Sequence, residues 1–196
     1  TRDGTPTGPL RVPDYVMNFA KVLDRDGRPI TRNGLFQLDW CDPALLRRET
    51  QVLAEVMRWL AAHDERQGRL STVVGVQIEN EPQVGKMQGK RMTERSHGPH
   101  AAAAFAAGRW TDDAAFTLDV MFRYIDGVAR AVKQSDYSVW TRVNCWSKTT
   151  HPQPLIRHVE AARAAGGTAI DFEGPDVYQS EPGRLLASLG PWQTGK

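Results

Sequence analysis

The run Val73-Val74-Gly75-Val76-Gln77-Ile78-Glu79-Asn80-Glu81-Pro82 decides how the chain is read. Valine and isoleucine favour extended backbone, and an apolar strand covered on both faces is what a parallel sheet or barrel produces. Pro82 has no N–H to offer a ladder, so the strand is expected to stop there. Its tip then carries carboxylates and an amide. In parallel α/β folds the carboxyl ends of the strands open onto the ligand crevice, which directs Asn80 and Glu81 at a substrate. The plainer reading of the same residues is an exposed polar loop.

The flanking segments repeat a helix-then-strand plan. Asp42 suits a helix N-cap and Pro43 the first helical position, while Leu46, Val52, Leu53, Val56, Met57 and Leu60 recur on one face at helical spacing. Gln67-Gly68-Arg69 ends that helix, and a short loop leads to the strand at Val73. Residues 83–111, rich in glycine and basic residues and carrying His97, His100 and an alanine run, read as a loop over the site. Phe116, Val120, Met121, Tyr124, Ile125, Val128 and Val132 predict a second amphipathic helix, and residues 137–146 a second strand with Asn144 and Trp146 at its tip. A third helix over 154–165 ends at Gly166-Gly167 and leads into a strand at Thr168-Ala169-Ile170-Asp171-Phe172. Residues 184–189 look helical again.

Composition sets outer limits. At 40% hydrophobic and 24% charged residues the chain has the make-up of an ordinary globular protein, and it contains no apolar run long enough to span a bilayer. The net charge of +2 comes from 25 basic and 23 acidic residues mixed throughout. The one basic patch, near Lys86, Lys90, Arg91 and Arg95, gives a nucleic-acid partner little support. Cys41 and Cys145 permit at most one disulfide and have no metal-ligand spacing. His63, His97, His100, His151 and His158 show no His-Glu-x-x-His pattern, and no Gly-x-Gly-x-x-Gly follows a strand. Neither a metal nor a cofactor is expected.

A strand followed by Asn80-Glu81 and Pro82 resembles the end of the fourth barrel strand in the clan A glycoside hydrolases, whose Glu is the general acid/base. The longer Gln77-Ile78-Glu79-Asn80-Glu81 most resembles the family 35 β-galactosidases, where Gln-Val-Glu-Asn-Glu is typical. Pro82 stands where Tyr or Gly often follows, a departure shared with the family 5 cellulases and mannanases, so the resemblance is stronger to the clan than to one sugar. Arg11-Val12-Pro13-Asp14-Tyr15-Val16 resembles the Val-Pro-x-Trp/Tyr-Val stretch that crosses the barrel mouth after the third strand. Glu173-Gly174-Pro175-Asp176-Val177-Tyr178 is similar to the close of the sixth strand and its loop.

The resemblance implies an α/β fold: a partial (β/α)8 TIM barrel with parallel strands and outer helices. Residues 1–41 would be an arm after strand 3, 42–110 helix 3, strand 4 and a long loop, 111–150 helix 4 and strand 5, and 151–196 helix 5, strand 6 and the start of helix 6. A complete barrel takes about 250 residues, so 196 residues with three strand-helix units read as a piece of one. The implied activity is retaining hydrolysis of an O-glycoside, β-galactosidase-like, with a carbohydrate β-glycoside as substrate. Glu81 would be the acid/base and Asn80 a donor to the sugar 2-hydroxyl. Tyr178 would orient a nucleophile that lies on strand seven, outside this sequence. Asn144 and Trp146 are candidate substrate contacts at the neighbouring tip, Trp146 as a flat apolar face for a pyranose. Their plain readings are a turn-former and a packing residue. Trp140 reads as packing, Glu79 as half of a structural ion pair, and Asp176 as a cap or hydrogen-bond partner in the loop. From a different class, the competing function is a noncatalytic carbohydrate-binding or scaffold remnant of such a barrel.

Overall fold

Parallel pairing of three strands organises the computed structural model, which describes residues 14–32, 34–88, 91–146, 155–176 and 180–189. A 3-10 turn at Asp14–Asn18 is followed by a short antiparallel hairpin of β1 (Thr31–Arg32) and β2 (Leu35–Phe36). Then come α1 (Pro43–Arg66), β3 (Gly75–Asn80), the hairpin of β4 (Lys86–Gln88) and β5 (Arg91–Glu94), α2 (Pro99–Ala107) and α3 (Asp113–Lys133). The chain continues with β6 (Trp140–Trp146), α4 (Ile156–Ala164), β7 (Phe172–Asp176) and α5 (Pro182–Leu189). The main sheet has the order β3-β6-β7, and both of its pairings are parallel. The protein is thus a mixed α/β structure built on a parallel three-stranded sheet with helical connections.

Local chemistry fixes the two long helices. Asp42 caps α1, its Oδ1 accepting from the Ala44 N–H at 2.8 Å, and Pro43 fills the first turn, where its missing N–H costs nothing. Asp112 caps α3 in the same way, accepting from the Ala115 N–H at 2.8 Å. α3 is the central helix. Its Leu118, Met121, Ile125 and Ala129 join Val143 of β6, Val159 of α4 and Ile170 in one buried cluster. Its Val132 joins Met57 of α1, Tyr137 and Val139 in a second. On α1, Leu53, Met57 and Leu60 pack inward, but Val52 and Val56 are exposed, so the buried face is narrower than the six residues at helical spacing predicted. Trp59 shares that outer side and stacks on His63 with ring centroids 5.0 Å apart.

Three elements depart from the sequence reading. Residues 83–111, expected to be one loop, contain the β4–β5 hairpin and α2; Pro99 opens the helix and alanine, the strongest helix former, sustains it. The arm over 1–41 contains the β1–β2 hairpin and two further antiparallel bridges, Lys21↔Leu38 and Leu23↔Pro29, which send the fully buried Val22 into the main core. The third strand begins at Phe172, not at Thr168. The backbone N–H of Ala169 and the Thr168 hydroxyl are taken by Asp126 Oδ1 at 2.7 and 2.6 Å, and the Asp171 carboxylate takes the Thr141 N–H at 2.7 Å. Side chains have claimed the groups that a ladder would use. Among the described residues β7 pairs only with β6, an edge position that tolerates Pro175. Among the described residues, no helix is long and apolar enough to cross a membrane.

The entry to β3 is held by a buried polar knot. The Tyr137 hydroxyl donates to Asp64 Oδ2 at 2.6 Å and accepts the N–H groups of Thr72 at 2.8 Å and Val73 at 2.9 Å. That hydroxyl holds the Asp64 carboxyl below the usual carboxylate range, with the Thr72 N–H acting in the same direction. Tyr137→Phe keeps the ring but strips Val73 of its acceptor and Asp64 of a donor. We expect a loss of about 1–3 kcal/mol, read as a lower urea midpoint at unchanged slope.

Candidate functional site at the strand tips

Because the three strands run the same way, their carboxyl ends meet on one side of the sheet. Asn80 of β3 lies in register with Asn144 of β6, Asn144 with Gly174 of β7, and Trp146 with Asp176. Asn144 is only 3% exposed and uses its whole amide. Its Nδ2 donates to Asn80 Oδ1 at 3.0 Å and to Asp176 Oδ2 at 2.6 Å, so one side chain ties all three tips. Its Oδ1 accepts the Glu81 N–H at 3.2 Å, a proton shared with the Asn144 carbonyl at 3.2 Å. Gln77 Nε2 completes the group with a 3.2 Å bond to Asn80 Oδ1.

Glu81 turns out of the strand with φ +48°, in the left-handed region where the other positive-φ residues described are all glycines. Holding an L side chain there costs about 1–2 kcal/mol, and such strain persists only where the surroundings over-determine the backbone. Here the two acceptors on Asn144 grip the Glu81 N–H. The strained residue is therefore the one that the sequence singled out.

Three residues before Glu81, β3 carries a bulge. Gln77 pairs with Arg142 and Glu79 with Val143, leaving Ile78 as the extra residue. The shift puts Glu79 in register with a fully buried core valine, hence toward the helical layer. Burial, and then the Glu49 carboxylate of α1, push the Glu79 carboxyl up to about 7. Burial likewise raises Glu49, with the Tyr124 hydroxyl of α3 acting against the rise. Tyr124 is itself raised, first by burial and then by Glu49, and its ring stacks on Trp40 at 4.6 Å. The expected structural ion pair of Glu79 is not formed among the described residues: its charged neighbour is another carboxylate.

Below the tips the same face of the sheet is partly aromatic. Trp140 and Phe172, both about two-fifths exposed, lie against each other with ring centroids 5.2 Å apart. A Cβ on Gly75 would fall 2.2 Å from the Trp140 ring, so only glycine fits beneath it. Arg142 projects toward the same face, 6.0 Å from the Phe172 ring centroid.

Of the residues singled out from sequence, Asn80, Glu81 and Asn144 come together. Trp146 ends β6 opposite Asp176, and Tyr178 lies outside the described residues, as do Val12 and Pro13. Asp176, expected in a loop, is the last residue of β7 and one of the three tied tips. Sequence reasoning missed Glu49 and Arg142. A glutamate in the second turn of an amphipathic helix and an arginine in the middle of a strand are the signals that would have found them. Among the described residues, no group of three or more His, Cys, Asp or Glu side chains is placed to hold a metal ion. Burial, then the Asp39 carboxylate, push the Cys41 thiol up to about 12, which leaves it protonated and a poor nucleophile. No protein-family model matches this chain, and no curated protein matches it either.

Asn144→Ala removes the amide that donates to the Asp176 carboxylate, leaves Asn80 Oδ1 short of a donor, and deprives the Glu81 N–H of one acceptor. The expected cost is about 2–3 kcal/mol in denaturant titration, with the largest loss of amide protection at Glu81.

Proposed function

We propose that the chain carries the acid/base half of a retaining β-glycosidase site, with Glu81 as the general acid and then base, on part of a (β/α)8 barrel. The observation that carries this reading is the backbone of Glu81. A glutamate forced into the left-handed region at a parallel strand tip, gripped by two acceptors on Asn144, is a strained polar residue aimed where α/β folds bind ligands. The parallel order β3-β6-β7 is compatible with consecutive barrel strands, and the sequence resemblance assigns β3 the fourth place.

In such a site two carboxyl groups lie about 5–5.5 Å apart: one protonates the leaving glycosidic oxygen while the other attacks the anomeric carbon. Glu81 supplies the first. The second carboxylate would come from a further barrel strand. Protonation of the oxygen by Glu81 breaks the C–O bond as the glycosyl-enzyme forms; Glu81, now ionised, takes a proton from the water that hydrolyses that ester. Asn80, on this reading, donates through its amide nitrogen to the sugar 2-hydroxyl. Its Oδ1 is already engaged by Asn144 and Gln77, which fixes the amide's orientation and leaves the nitrogen to the substrate side. The exposed Trp140 and Phe172 rings lie on the sheet face below the tips and would form part of the packed barrel interior.

The experiment is a side-by-side assay of the protein with both carboxylates in place, on a β-linked galactoside disaccharide and on an aryl β-galactoside with a good leaving group. Glu81→Gln should lower disaccharide turnover by on the order of 10² to 10⁴, while the first, aglycone-releasing step on the aryl substrate survives and deglycosylation slows. Unchanged disaccharide turnover would remove Glu81 from the mechanism. Sugar binding without turnover in the unsubstituted protein would favour a noncatalytic carbohydrate-binding role.

A further inference from the structure

Asp176 closes β7 and takes no part in the chemistry described so far, yet the polarity of the whole strand-tip network runs back to it. Its Oδ2 accepts from Asn144 Nδ2 at 2.6 Å, the shortest of the bonds at the tips, and an ionised acceptor makes such a bond about twice as strong as a neutral one. A buried amide can sit either way round, because its oxygen and nitrogen ends have nearly the same shape. At Asn144, which is 3% exposed, the neighbours choose. An ionised carboxylate only accepts and a backbone N–H only donates, so the amide nitrogen faces Asp176 and the oxygen faces Glu81. The hold from Glu81 is the weaker one, since its proton is shared with the Asn144 carbonyl and both contacts are 3.2 Å long. Asp176 therefore decides the orientation. The remaining Asn144 Nδ2 proton goes to Asn80 Oδ1 at 3.0 Å, where Gln77 Nε2 also donates at 3.2 Å. With two donors on its oxygen, the exposed Asn80 side chain turns its nitrogen outward.

We infer that Asp176 is a positioning residue: acting through Asn144, its carboxylate fixes the direction of the Asn80 amide, so that the strand tips offer a ligand an N–H and not a carbonyl oxygen. Reversing Asn144 would set its oxygen against the carboxylate and would call for the Asn80 nitrogen to face inward. The ligand group that fits an outward N–H is a hydroxyl accepting through its oxygen. Identifying it as the sugar 2-hydroxyl rests on the function proposed above; the amide orientation does not.

Two substitutions test this at a half-buried residue that ends its strand. Asp176→Ala removes the acceptor, whereas Asp176→Asn keeps the shape and a side-chain oxygen that can take the same bond. On this chain, NMR follows hydrogen exchange of the Asn144 side-chain NH2. Exchange should speed up about tenfold or more in Asp176→Ala and return most of the way in Asp176→Asn, while amides in the middle of α3 keep their protection. Unchanged Asn144 exchange in Asp176→Ala, or equal acceleration by both substitutions, overturns the proposal. In the protein with both carboxylates, the substrates are an aryl β-galactoside and its 2-deoxy analogue. Asp176→Ala should lower kcat/KM about tenfold on the first and leave the second within about twofold, because without a 2-hydroxyl the Asn80 N–H has nothing to hold. Equal losses on both substrates would mean a merely structural role and also overturn the proposal. Asn80→Ala separates the two readings: if it too fails to distinguish the substrates, the 2-hydroxyl assignment has failed and the exchange result alone decides the orientation.

Discussion

Everything at the candidate site depends on parallel registration of β3, β6 and β7. Strands that start together and run the same way must end together, and that alone assembles Asn80, Asn144 and Asp176 from three distant parts of the chain. The Asn144 amide then makes the arrangement specific. Both of its N–H bonds and its carbonyl oxygen are committed to neighbours, so a slip of either outer strand by one residue would strand a buried amide and a carboxylate. The helices act at one remove: α3 packs against the sheet and carries Ile125, Ala129 and Val132 beneath the strands, while the caps at Asp42 and Asp112 fix where α1 and α3 begin.

Two unfavourable features sit side by side on β3. Glu81 is held in a left-handed backbone conformation, and the half-buried Glu79 carboxyl is raised by desolvation and then by the Glu49 carboxylate. Either could be removed by substitution if only folding mattered. The bulge connects them, because a single extra residue both turns Glu79 toward the helical layer and redirects the tip. On the proposed reading, the stability given up here is spent on pointing one carboxyl group at a glycosidic oxygen.

The strand tip was legible because its signals are local. Mostly apolar residues up to Ile78, polar ones after it and Pro82 at the end mark both strand and terminus, and Asp42-Pro43 marks the helix before it. The bulge was not legible: it is a relation between Gln77, Glu79 and the distant pair Arg142 and Val143, and so the fate of Glu79 was misjudged as an ion pair. The start of β7 was displaced because Asp126 and the Asp171 carboxylate intercept backbone groups that the β-rich composition of 168–172 would otherwise have given to a ladder. Ala101 to Ala104 in α2 lack the alternation of apolar and polar residues that announces a packed helix, and the neighbouring glycines and histidines masked the helix propensity of alanine.

The most direct measurement of the central claim is chemical rescue of Glu81→Ala, in the protein that carries both carboxylates, by azide with an aryl β-galactoside. Azide is small enough to occupy the space of the missing carboxyl and needs no base to attack a glycosyl-enzyme. If Glu81 is the acid/base, azide should raise turnover on the order of tenfold or more and the product should be the β-configured galactosyl azide. No rescue, with aryl galactoside turnover in Glu81→Ala equal to that of the unsubstituted protein, would contradict the account.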